Sequence, residues 1–152
     1  MRGGDAVEFR FSANPGVEPA PVREIASGGE LSRLMLALMT AVERSESGCE
    51  RQLLVFDEID AGIGGHTARA VGEHLRGLAR KRQVLCITHL PQVASLADRH
   101  FRIDKHTVRG TTVAEVCQLD GDAVVQELVR MLGASERDDV ASEHARRLLR
   151  AA

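Results

Sequence analysis

The sequence has no tryptophan and no tyrosine, and its only aromatic side chains are Phe9, Phe11, Phe56 and Phe101. A stacking platform for single-stranded nucleic acid is therefore not expected, because such platforms need exposed rings set among cations. Lysine is almost missing too, with only Lys81 and Lys105, and the formal net charge of −2 speaks against a strongly basic coat. The three cysteines, Cys49, Cys86 and Cys117, are odd in number, far apart and outside any CxxC pair. Neither a disulfide framework nor a zinc site is suggested, and a reducing cytoplasm fits. No apolar run approaches a membrane span, and the start carries no signal-peptide pattern. Met1-Arg2-Gly3-Gly4 reads as the start of a fragment. There is no internal repeat, no low-complexity tract and no long heptad region.

What is present is a globular chain of 152 residues, 43% hydrophobic, long enough to build a real core in one domain. It is organised around Ala26-Ser27-Gly28-Gly29-Glu30-Leu31-Ser32-Arg33. Ser27 is a good N-cap, and Glu30 three residues later completes a capping box. From there Leu31, Leu34, Met35, Leu38 and Val42 recur at helical spacing. Gly28 and Gly29 add no side chain, so an anion could reach the backbone N–H groups and the positive end of the helix dipole. The pattern suits a phosphate-receiving helix start, and it equally suits an ordinary capped core helix.

Along the chain, residues 5–11 alternate as a strand does. Asn14-Pro15-Gly16 is a turn signal, and Pro19 to Val22 reads as an extended linker. The long helix is expected to run to about Glu43 or Arg44 and to end in Ser45-Glu46-Ser47-Gly48. The apolar run Leu53-Leu54-Val55-Phe56 then predicts a strand buried on both faces, as in a parallel sheet, and Asp57 and Glu58 follow directly. Ligands of α/β sheets gather at the C-terminal ends of parallel strands. Two adjacent acids there suit a magnesium ligand, Asp57, beside a general base, Glu58; they also suit a solvated strand end.

Asp60 to Gly65 reads as a flexible loop, and His66 or Thr67 opens a helix striped by Ala68, Val71, Leu75 and Leu78. Arg80-Lys81-Arg82 reads as its solvated end. Val84 to Thr88 predicts a second buried strand, with His89 at the edge where the first strand delivers its acids. His89 is either structural or part of a shared site. A helix follows from Pro91 through Ala97, then strands at 100–104 and 112–117 that alternate as an antiparallel edge pair, then helices at 124–132 and 140–149. The expected fold is α/β: a mostly parallel sheet flanked by helices, with the antiparallel pair near the C-terminus.

The ordered set Ser27-Gly28-Gly29-Glu30, Leu53-Leu54-Val55-Phe56-Asp57-Glu58 and Ile87-Thr88-His89 resembles the signature, Walker B and switch-histidine motifs of ABC-type ATPases, a P-loop NTPase class, in their SMC-like branch. Further runs resemble the RecN-like DNA repair ATPases within that branch. They are Phe56-Asp57-Glu58-Ile59-Asp60-Ala61-Gly62, Ile87-Thr88-His89-Leu90-Pro91-Gln92-Val93-Ala94 and Glu127-Leu128-Val129-Arg130-Met131-Leu132-Gly133. No Gly-Lys pair exists, so the Walker A loop that family uses for the β- and γ-phosphates is not in this sequence. The resemblance implies that residues 1–152 are the C-terminal lobe of a head whose Walker A lobe and coiled coil lie elsewhere in the protein. Where transporter ATPases carry a further aspartate, Gly64 stands here, which argues against a transporter subunit.

The resemblance also implies roles. ATP and Mg²⁺ would be the cofactors, with Asp57 on the metal, directly or through water. Glu58 would activate water and His89 would contact the γ-phosphate. Ser27, Gly28, Gly29 and Glu30 would close on the ATP of a second head in a sandwiched homodimer. The N-terminal Walker A lobe of the same protein would be a partner, DNA would be reached through the full-length protein, and the setting would be the bacterial cytoplasm, at the nucleoid. Two other readings stay open: an ABC lobe from a system outside repair, and a non-catalytic interaction module when the chain is alone.

Overall fold

A computed structural model describes residues 4, 6–12, 15–25, 27–43, 53–108, 110–135 and 137–152. The chain opens with β1 (Arg10–Phe11) paired antiparallel to β2 (Ala20–Pro21), Arg10 opposite Pro21. The expected linker therefore contributes a short strand. Proline is tolerated there because the pair is only two residues long and its next bond is donated by Val22 N–H to the Phe9 carbonyl, 3.0 Å. One helical turn, α1 (Val22–Ile25), leads towards the long helix. Pro15 and Gly16 form a turn, with Gly16 at φ +86°, whereas Asn14 of that signal lies outside the described residues.

Helix α2 (Gly28–Glu43) starts where the capping box places it. The expected end at residues 45–48 lies outside the described residues, as does Cys49. Strand β3 (Leu53–Phe56) is followed by α3 (Gly65–Ala79) and by β4 (Gln83–Cys86), which pairs parallel to β3 with Leu54 opposite Val84 and Val55 opposite Leu85. Ile87 N–H donates to the Phe56 carbonyl at 2.9 Å and extends the ladder by one step. A parallel pair must be joined by a crossover, and α3 is that crossover. Leu36, Phe56, Ile59, Ala68, Val71, Leu75, Leu78 and Val93 form one core, with Leu54, Val84 and Cys86 packed against it.

This core lies on one side of the pair only. Leu53, Val55, Leu85 and Ile87 point the other way and stay about half exposed, so the strands are not buried on both faces as the apolar runs predict. The chain supplies helices to one face and, among the described residues, nothing to the other. Arg82 is likewise not a solvated helix end. It is buried, with Nη1 3.6 Å from the Met39 sulfur.

Helix α4 (Pro91–Ala94) is a single turn begun by proline, shorter than its apolar spacing suggests. Strands β5 (His100–Val108) and β6 (Thr111–Leu119) form an antiparallel hairpin, longer than expected, that turns at Gly110 with φ +81°. Helix α5 (Asp122–Met131) ends before Gly133 at φ +74°, and α6 (Asp139–Arg150) is capped by Asp138, whose carboxylate accepts from the Val140 and Ala141 N–H groups. Leu119, Val124, Leu128, Val129 and Ala145 make a second core. The fold is thus α/β. Its described strands form three two-stranded sheets, one parallel and two antiparallel, and the β5–β6 hairpin does not hydrogen-bond to the β3–β4 pair.

Candidate functional site

The turn after β3 is braced by the helix before it. Ser32 Oγ donates to the Asp57 carbonyl at 3.1 Å. Arg33 Nη1 donates to the Ile59 and Ala61 carbonyls at 3.0 and 2.9 Å. Ala61 N–H closes the turn onto the Glu58 carbonyl at 3.0 Å. Glu58 sits inside this frame at φ +56°, the only described non-glycine residue with positive φ. That conformation costs roughly 1–3 kcal/mol and persists only where the surroundings impose it. Here four successive or near-successive carbonyls are fixed from outside the turn or across it. The carboxylates of Asp57 and Glu58 are exposed, and among the described residues no hydrogen bond or ion pair engages them.

The start of α2 lies against the same turn. Ser27 N–H donates to Glu30 Oε2 at 2.8 Å, and Glu30 N–H to Ser27 Oγ at 3.3 Å, which is the reciprocal capping box. The Ser27 N–H, and then the Ser27 hydroxyl, lower the Glu30 carboxyl below its usual range. A Cβ on Gly29 would stand 2.8 Å from the Glu58 carbonyl oxygen and 2.9 Å from Ala61 Cβ. Glycine there permits close helix-to-turn packing, a second reason for it beside anion access. A Cβ on Gly28 would meet Glu58 Oε2 at 3.0 Å, a contact the long side chain could relieve.

Asp60 ties the turn to the end of β4. The loop read as flexible is anchored by it: Asp60 is 2% exposed and Ile59 wholly buried. Asp60 Oδ2 accepts from Thr88 Oγ1 at 2.5 Å and from His89 N–H at 2.9 Å, and lies 3.0 Å from His89 Nδ1. Burial raises the Asp60 pKa, but the bonds from Thr88 and His89 outweigh it and leave the carboxyl below the ordinary aspartate range. The His89 ring is itself 72% exposed. At the end of β4 the Cys86 thiol is pushed up to about 12 by burial and by the negative charge of Asp60 and Asp57.

The structure therefore brings Gly28 and Gly29, at a helix start capped by Ser27 and Glu30, against the turn bearing Asp57 and Glu58, and links His89 to that turn through Asp60. No group of three or more His, Cys, Asp or Glu side chains is arranged for a metal ion among the described residues. Asp57 alone offers one free carboxylate, which fits an ion that keeps most of its waters better than an all-protein cage. Sequence reasoning missed Ser32, Arg33, Asp60 and Thr88 as parts of this arrangement. The available signal was Asp60 itself, a charged residue set between Ile59 and Ile63 where a loop would ordinarily stay polar.

Comparison with known proteins follows the same line. No protein-family model matches the chain. The DNA repair protein RecN of Deinococcus radiodurans is 49% identical over 143 residues, covering 94% of this chain and 24% of the relative. The RecN of Treponema pallidum is 47% identical over 149 residues (98% and 26%), and that of Mycobacterium leprae 45% identical over 150 residues (99% and 25%). The chain spans about a quarter of the length of the curated relatives it matches. A solved chain from structural work on the ATP-driven dimerization and DNA-stimulated activation of SMC ATPases superposes with a TM-score of 0.53 at 21% identity, over 85% of this chain and 74% of that one. At that identity the likeness establishes the fold.

Proposed function

This chain belongs with the RecN proteins as a stretch of about a quarter of their length, and from that premise we propose that it is the signature and Walker B lobe, residues 1–152, of an ATPase head acting in DNA double-strand break repair. One observation carries the reading. Two unengaged carboxylates, Asp57 and Glu58, leave the C-terminal end of a parallel strand, with His89 at the end of its neighbour and a capped glycine helix start packed against them. That is where an α/β sheet presents a ligand site.

ATP, when bound, would supply the phosphoanhydride to be cleaved, and Mg²⁺ would neutralise much of the phosphate charge. Asp57 would hold the ion, directly or through water. Glu58 takes a proton at its carboxylate from the attacking water, and the braced turn fixes where that carboxylate can reach. His89 meets the terminal phosphate. Ser27, Gly28, Gly29 and Glu30 offer their helix start to the nucleotide of a second head, so that nucleotide joins two heads and hydrolysis releases them.

The half-exposed apolar face formed by Leu53, Val55, Leu85 and Ile87 supports a missing layer. We assign it to the Walker A lobe of the same protein, which would complete a mostly parallel sheet around β3 and β4. The chain alone then holds half of each site and is inactive as an ATPase, an interaction module until it is joined. DNA is reached by the assembled protein, in the bacterial cytoplasm. The experiment is Glu58→Gln in the completed protein. The reading predicts stable ATP-bound head dimers with hydrolysis lost, and ordinary turnover in that variant would remove Glu58 from the role of base.

A further inference from the structure

Asp60 is the most deeply buried charged residue among the described residues, and none of the roles above uses it. Its Oδ2 atom faces three groups. The His89 backbone N–H, 2.9 Å away, can only donate. Thr88 Oγ1, at 2.5 Å, already accepts from Leu90 N–H at 3.0 Å, so its own proton is free to point at Oδ2. An oxygen receiving two donors is acting as an acceptor, and the third group, His89 Nδ1 at 3.0 Å, must then present a proton to it.

We infer that Asp60 is a positioning residue for His89: its buried Oδ2 fixes the ring as the Nδ1–H tautomer and leaves Nε2 as the nitrogen offered to a ligand. The partner at one ring nitrogen decides the proton at the other. The same carboxylate takes the His89 backbone N–H, so ring and backbone are oriented from one point. With Asp60 fixed in the turn behind Glu58, the orientation of His89 is referred to the residue proposed as the base. In the ATPase reading, on which this last consequence rests, contact with the terminal phosphate goes through Nε2.

A second histidine gives an internal reference. His100 Nε2 lies 2.9 Å from the Ala94 carbonyl, which can only accept, so that ring is the Nε2–H tautomer. Long-range ¹H–¹⁵N spectra of the chain labelled on histidine, taken above the imidazole titration range and assigned with His89→Gln, read both rings without any nucleotide. The expected result is a protonated Nδ1 and bare Nε2 for His89 beside the reverse for His100, and a switch of His89 to Nε2–H in Asp60→Ala. An Nε2–H form of His89 in the unaltered chain, or an unchanged tautomer in Asp60→Ala, overturns the inference. If Asp60→Ala fails to fold, the spectrum of the unaltered chain decides alone. Because no ATP is involved, failure of the ATPase reading and failure of this inference are separate results.

Discussion

Leu54 and Phe56 enter the core beneath α2 and α3, whereas Leu53 and Val55, their immediate neighbours on the same strand, remain about half exposed. The pairing repeats the contrast on β4, where Val84 and Cys86 pack inward and Leu85 and Ile87 do not. Both faces carry the same kind of side chain, so the difference is not one of composition. It arises because this chain brings helices to one face only. A strand read as buried twice over is buried once, and the other face of the pair is left without a covering layer among the described residues.

Substitutions on the two faces should therefore separate by size. Phe56→Ala removes a buried ring from the packed face and is expected to destabilise the chain by about 3–5 kcal/mol in chemical denaturation; an effect below that of the bare face would break the comparison. Gly29→Ala forces a methyl against the Glu58 carbonyl and Ala61, contacts of 2.8 and 2.9 Å that backbone must yield to. A loss of roughly 1–3 kcal/mol is expected, and a neutral result would mean that α2 is not seated on the turn as described. Ser27→Ala removes one half of the capping box and should cost about 1 kcal/mol, with helix content falling in step. Val55→Thr keeps the β-branch on the bare face and should change stability by less than about 0.5 kcal/mol in the chain alone. The same substitution should weaken association once the Walker A lobe is supplied, and equal tolerance in both settings would show that this face is not where that lobe docks.

Local chemistry was legible from the sequence. The capping box of Ser27 and Glu30, the strand character of each of the two apolar runs, the proline-led turn at Pro91 and the antiparallel hairpin all rest on signals within a few residues of one another. The braces were not. Arg33 reaches carbonyls 26 and 28 residues away, and Asp60 meets Thr88 and His89 at separations of 28 and 29. Such partners are chosen by how strands and helices stack, which periodicity does not encode. Arg82 illustrates the same limit: a cation in a charged run reads as solvated, yet its place beneath Met39 buries it. The bare face failed for the opposite reason, because an apolar run reports the character of its side chains and not whether the covering layer belongs to the same stretch of chain.

The most direct test of the account is ATP turnover by the 152-residue chain, alone and mixed with the Walker A lobe of the same full-length protein. No turnover is expected from the chain alone, turnover is expected in the mixture, and that turnover should be lost with Glu58→Gln. Hydrolysis by the chain alone, or a mixture indifferent to Glu58→Gln, would contradict it.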